Sequence, residues 1–237
     1  ADVVDTIFHL NGTKLTKANA STPADLNTNG NGVVIGGFSN DSDNDPEPKF
    51  DFNGDIFEII VFSEELNAAQ RIIMENYLGS KYNQAVANDR FAFDDRSATN
   101  VYFNEVAGIG QATDGTQHLS ANSSIINIKN ASSNANDRYL LLGHDGADGT
   151  AFTNNETPDG GANSSRIARE WRVDETNGDI GTVELTVDFS GLGSVSSGFT
   201  PAILVDDDGD FSSGATVIDL DPTNKNVTLN LSDGDYI

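Results

Sequence analysis

Residues 52–82, FNGDIFEIIVFSEELNAAQRIIMENYLGSKY, describe a strand, a turn and a helix in succession. Ile56, Glu58, Ile60 and Phe62 alternate with Phe57, Ile59 and Val61, and so apolar a run suits a buried β-strand. Asp55 and Glu58 lie three apart in it and therefore on opposite faces. Ser63 is placed to cap a helix, with Glu64 and Glu65 at its positive end. Leu66, Ala69, Ile73 and Tyr77 recur at helical spacing and give that helix one face to bury. Gly79 and Lys81 suit its C-terminal end, where left-handed geometry and cations are favoured.

Upstream, VVDTIFHLNGTKL runs into an Asn11–Gly12 pair and out again, a hairpin signal because both residues tolerate the positive φ of a type I′ turn. Residues 21–31 read as a loop and Gly32–Phe38 as a strand. Asn40–Pro48, NDSDNDPEP, is a second loop, since its two prolines exclude a central strand. Downstream of Tyr82 the composition shifts. NQAVAND is a linker, and a second unit begins near Arg90, which gives expected domains of 1–85 and 86–237. Short β segments follow in RFAFDD, NVYFNEVAGIG, HLSANSSIINIKN, DRYLLLGHDG and RIAREWRVDE. The clearest strand has Val183, Leu185, Val187 and Phe189 on one side and Glu184, Thr186 and Asp188 on the other. PAILVDDDGDF is a strand entering an acidic loop, and NVTLNLSDGDYI closes the chain with Val227, Leu229 and Leu231 on one face. Strands about ten residues apart, bounded by Gly, Asn and Asp, predict an all-β fold. The expected architecture is an antiparallel β-sandwich, partial and jelly-roll-like, with one short helix, followed by a second sandwich-like unit.

The 237 residues carry a formal charge of −24, with 37% hydrophobic residues and no cysteine. That charge excludes nucleic acid and anionic membrane surfaces as partners, and it favours divalent cations or a salty medium. Without cysteine there are no disulfides and no thiol chemistry. No signal peptide or apolar run long enough to cross a membrane stands out, and the chain reads as a segment of a longer protein.

The GDIFEIIVF strand, the helix and the final YLGSKY resemble the closing segment of laminin-G/concanavalin A-like jelly-roll domains of large bacterial surface proteins. GVVIGGF fits the same family. The resemblance covers about residues 1–83 and the later part of such a domain, so the strands completing it are expected upstream, in the segment after Tyr82 or in a second copy. The buried set would be Ile56, Ile60, Phe62, Leu66, Ile73 and Tyr77. NEVAGIG, RYLLLGHDG, RIAREWRVDETNGDIGTVELTVDFSGL and AILVDDDGDFSSG resemble a domain of unclear function that follows concanavalin-like domains in exported proteins of marine and gliding bacteria. The tandem implies a large multidomain protein, extracellular at the bacterial cell surface and often an adhesin, with neighbouring domains of the same protein as partners.

Several residues could carry chemistry. Asp206, Asp208 and Asp210 alternate in DDDGD just after a strand, and several hard oxygens on a tight turn are what Ca2+ requires. The loop is not an EF-hand, since Phe211 stands where its glycine belongs and no helix flanks it. Asp41, Asp43 and Asp45 repeat the spacing without a glycine and form a second calcium candidate. Asp145 and Asp148 in HDGADG read as a solvated turn. His9, His118 and His144 share no transition-metal spacing. Gly108-Ile109-Gly110 lacks the third glycine and helix of a dinucleotide site. Trp171, between Arg169 and Arg172, could stack on sugar, but strand alternation more often puts such a residue in the core. Glycoside hydrolysis needs two carboxylates facing one cleft; Asp55 and Glu58 fail that test, and no serine-nucleophile elbow appears. The expected function is therefore a non-enzymatic adhesin module that binds a glycan or protein ligand, or supports such a binder, stabilised by calcium. The alternative is an accessory module of a secreted polysaccharide-degrading enzyme.

Overall fold

The computed structural model describes residues 9–15, 37–38, 50–192 and 198–237. The chain divides into two compact units, residues 1–10 with 14–65 and residues 11–13 with 66–237. Near the N-terminus β1 (His9–Leu10) and β2 (Thr13–Lys14) flank Asn11 and Gly12, whose φ values of 47° and 80° are both positive, as a type I′ turn requires. In the first unit β3 (Gly37–Phe38) pairs antiparallel with β4 (Phe50–Asp51). The expected strand Gly32–Phe38 is described at its last two residues alone; residues 32–36, like the loop of Asp41, Asp43 and Asp45, lie outside the described residues.

The strand expected at Ile56–Phe62 does not form. These residues run irregularly and are exposed, Ile56 to 48% and Val61 to 87%. Alternation supplies a strand with two apolar faces, but it supplies no neighbour to pair with, and pairing is what makes a strand.

The helix α1 (Ala68–Tyr82) starts four residues later than its Ser63 cap would place it. Asn67 is the cap. Its Oδ1 accepts the Gln70 amide at 2.9 Å while Gln70 Oε1 accepts the Asn67 amide at 3.0 Å, a reciprocal capping box. At the other end Asn83, not Gly79, takes the left-handed conformation, and its amide returns to Gly79 O. Gly79 instead lies buried in the last turn, where a Cβ would come within 2.9 Å of Gln84 O. The helix belongs with the second unit, so the division falls between Glu65 and Leu66 rather than near residue 85.

The second unit is a β-sandwich. Its strands are β5 (Asn104–Gln111), β6 (Gln117–His118), β7 (Ser120–Ser123), β8 (Ile126–Lys129), β9 (Arg138–His144), β10 (Phe152–Thr153), β11 (Arg166–Ile167), β12 (Trp171–Thr176), β13 (Thr182–Val187), β14 (Ala202–Val205), β15 (Thr216–Asp219) and β16 (Asn226–Asn230). Two four-stranded antiparallel sheets, ordered β12-β9-β5-β6 and β16-β13-β8-β7, face one another. Between them Leu140 and Leu142 of β9 meet Ile128 of β8 and Leu185 of β13, each no more than 1% exposed. The opposite face of β9 presents Tyr139 and Leu141 to Ala69, Ile72 and Ile73 of α1. Being covered on both faces explains why RYLLLGH reads as a continuous apolar run.

RFAFDD is not a strand either. Phe91 is buried to 1%, and the Ala92 amide bonds the Asp174 carboxylate at 2.7 Å rather than a ladder. Gly108 and Gly110 have a packing role: a Cβ on either would stand 2.5 Å from a carbonyl of β9, Leu140 O or Arg138 O. Two smaller hairpins, β10–β11 and β14–β15, complete the unit.

Candidate binding cleft

Two features of the second unit invite a functional reading, the acidic loop after β14 and a cleft between the small hairpins. In the loop, Asp206 is 4% exposed and its backbone pairs with Tyr236 at 2.8 and 3.0 Å. Its Oδ1 accepts the amides of Asp208 at 2.9 Å and Gly209 at 2.8 Å, which folds the chain back at Gly209, φ 83°. This turn brings together consecutive residues: Asp206, Asp207 and Asp208 each offer a carboxylate oxygen within 4.8 Å of the others. Asp210 is outside that group and turns to the Ser212 hydroxyl and amide, at 2.5 and 3.1 Å, which hold its carboxyl below the usual range. Asp235 is pushed the other way, by burial first and then by Asp207, Asp206 and Asp233, against the Ser232 amide. A cation is favoured in such a field, and three hard oxygens make up about half of calcium's usual shell. In HDGADG the Asp145 and Asp148 carboxylates close local turns, accepting from Ala147 at 3.0 Å and Thr150 at 2.8 Å.

The cleft has a volume of about 630 Å³. Its walls are the β14–β15 and β10–β11 hairpins, and Ile126 of β8, Val187 of β13 and Trp171 of β12 join them from the open end of the sandwich. Apolar side chains dominate, with Ile203, Leu204 and Phe211 in the lining. Two more, Phe152 and Phe199, are 53% and 55% exposed. Phe211 is 1% exposed and lies 5.0 Å beneath the Arg166 guanidinium.

The cations of the cleft are already engaged. Arg166 pairs with Glu156 and, at 2.7 Å, with Glu170, whose carboxyl burial raises and Arg166 lowers. Arg169 donates from Nε to Ala147 O at 2.8 Å and from Nη1 to Ser124 Oγ. Asp159, exposed on the rim, gathers its loop through the amides of Gly161 at 3.0 Å and Asn163 at 2.7 Å and the hydroxyls of Thr157 and Ser164. Those donors, Ser164 foremost, hold its carboxyl below the usual range. Asp219 of β15 is exposed on the same rim.

Trp171 is 3% exposed and belongs to the sandwich core, as alternation indicates, but it is also part of the cleft wall. Its Nε1–H is buried with no acceptor among the protein atoms. His144 packs edge-on against the indole, centroids 6.0 Å apart, and is itself 3% exposed. Its Nδ1 accepts the Gly146 amide at 3.0 Å, and its Nε2 lies 3.4 Å from Glu105. Burial lowers its pKa, as Arg169 also does, while Glu105 opposes. Sequence reasoning does not find the cleft, because its walls come from segments far apart in the chain. The local signal for its mouth is Phe152 and Phe199, aromatic residues standing alone among Gly, Thr and Asn.

Residues 71–235 match the model of a domain of unknown function (DUF8202). No curated protein and no solved structure matches.

Proposed function

The chain belongs to that family of domains of unknown function, and from this premise we propose that it is a non-enzymatic binding module of a large exported adhesin. In this reading the module sits at the bacterial cell surface, next to other domains of the same protein, and holds a glycan or protein ligand in the cleft. Calcium at Asp206, Asp207 and Asp208 stiffens the turn that leaves β14.

The observation that carries the reading is the cleft itself. Its volume of about 630 Å³ lies within the ~300–1,000 Å³ typical of ligand sites. Phe152 and Phe199, each more than half exposed, both line the cleft and give a ligand aromatic surface to cover. Its chemistry speaks for binding over hydrolysis. Asp159 is held ionised by four donors, which suits structure and not proton donation; Glu170, whose carboxyl burial raises, has its Oε1 taken up by the Arg166 guanidinium. The adhesin context rests on the resemblance of residues 1–83 to concanavalin-like domains and on the charge of −24, which keeps a surface protein soluble in salt.

The test is a binding screen of the whole chain against immobilised glycans and extracellular proteins, in calcium, beside a Phe152→Asp/Phe199→Asp double variant. Both side chains are more than half exposed, so the variant keeps its fold. The expected result is a ligand retained by the wild type and lost by the variant, with no cleavage of that ligand. Release of reducing sugar from any glycan, or equal retention by both proteins, refutes the proposal.

A further inference from the structure

The β14–β15 hairpin ends in an open edge. Antiparallel strands exchange backbone hydrogen bonds at every second pair of residues. The Leu220 amide donates to Pro201 O at 2.9 Å, so the bonded pairs in this register are Ile203 with Ile218 and Val205 with Thr216. The intervening residues of β15, Val217 and Asp219, therefore turn their N–H and C=O groups away from β14. No backbone partner meets them on that side among the described residues. The other side of the hairpin is tied to the rest of the unit at Asp206, just past β14, which bonds Tyr236 there in both directions. Edge strands are commonly guarded by lysine, proline or a bulge. β15 reads TVID, with no lysine, proline or bulge; its guards are its four-residue length and the Asp219 charge, which a basic strand would neutralise.

This edge borders the cleft. Val217, 52% exposed, and Asp219 are both among its lining residues. A backbone edge with unused donors and acceptors beside an apolar trough is the geometry of strand addition. There the main chain supplies affinity and alternate side chains supply specificity.

We infer that the cleft takes an extended peptide from a partner protein, added as a strand along β15, with apolar side chains at alternate positions in the trough and lysine or arginine at its flanks. The charge preference follows from the rim. The cleft's own guanidiniums are tied to Glu156, Glu170, Ala147 and Ser124, while Asp159 and Asp219 stay exposed on a chain of net charge −24. A second copy of the chain is the wrong occupant, because it would bring another −24 against the first. The inference rests on the cleft being the binding site, and it goes further by naming the ligand's backbone form and charge.

The probe is the labelled peptide KKTVTVTVKK, titrated into the full chain and followed by anisotropy. Val217→Pro removes an N–H that points away from β14, so it blocks the edge and spares the hairpin. Because that variant could still misfold, a peptide N-methylated at its six central residues makes the same test on the wild-type protein. Saturable binding is expected, weakened at least about tenfold by Val217→Pro, by Asp219→Lys and by N-methylation. Equal affinity for the methylated peptide overturns strand addition. So does dimerisation through β15 in sedimentation, which would make a second copy the occupant. If an apolar dye enters the cleft but the peptide does not bind, strand addition fails and the cleft stands. If neither enters, both fail.

Discussion

Asp174 is the residue at which the pH response of the sandwich is most exposed to measurement. It lies on β12, is 8% exposed, and accepts the Ala92 amide at 2.7 Å. Burial pushes its carboxyl up to about 6, Asp233 and Asp89 add to the rise, and the Ala92 and Thr176 bonds oppose it. The folded state thus holds this proton more tightly than the unfolded chain, whose carboxyl titrates near 3.8. Its contribution to stability is complete below that value and is lost as pH rises through about 6. Asp174→Asn keeps an acceptor for Ala92 and removes the buried charge, so it should stabilise the protein by about 1–2 kcal/mol above pH 7 and do little at pH 4. His144 works in the opposite sense. Its lowered pKa costs stability as pH falls below 6.5, so the comparison is variant against wild type at each pH in urea. Equal stabilities at pH 8 would refute the assignment. At this scale the sequence makes Trp171 a core residue through its place in WRV. It does not reveal that Asp174 is buried, because Ala92, whose amide meets its carboxylate, lies some eighty residues away.

At the scale of the element, the helix separates what local sequence determines from what it does not. Both S-E-E-L from Ser63 and N-A-A-Q from Asn67 offer a capping side chain. The second also has glutamine at the third position, which closes the reciprocal box. Asn67→Ala should therefore cost about 1 kcal/mol and Ser63→Ala nothing measurable, by urea unfolding. A larger loss at Ser63 would place the helix start where simple spacing puts it. The periodicity makes the helix legible and finds Ala69 and Ile73 of its buried face, but Tyr77 is only partly buried and Leu66 precedes the helix, while Ile72, Asn76 and Ser80 complete the face. The surface it packs on, Tyr139 and Leu141 of β9 with Val106 of β5, is a tertiary choice that periodicity leaves open. The same limit explains Ile56–Phe62. Its seven residues are more apolar than those of β13, but β13 has β8 and β16 beside it and forms a strand, while Ile56–Phe62 forms none.

Over the whole molecule, the antiparallel sandwich is legible from strand spacing: β13 buries Val183, Leu185 and Val187 as its alternation selects, and Leu229 of β16 is buried while Val227 is partly so. The cleft is not, because volume at the end of a sandwich depends on how two hairpins diverge. The charge of −24 makes the calcium proposal testable on the intact chain. A Ca2+ concentration about 100-fold above Kd should raise the melting temperature by roughly 5–10 °C over an EDTA-treated sample. Asp207→Asn/Asp208→Asn should remove most of that gain, and identical melting curves in calcium and EDTA would end the proposal. Binding of either a glycan or a peptide requires the cleft to be open to a ligand. Trp171 is the protein's one tryptophan and is part of its wall, so energy transfer from it to 1-anilinonaphthalene-8-sulfonate, in salt high enough to screen the dye's charge, reports occupancy directly. Saturable transfer that Phe152→Asp/Phe199→Asp abolishes is the expected result; no transfer, or transfer unchanged in the variant, would contradict it.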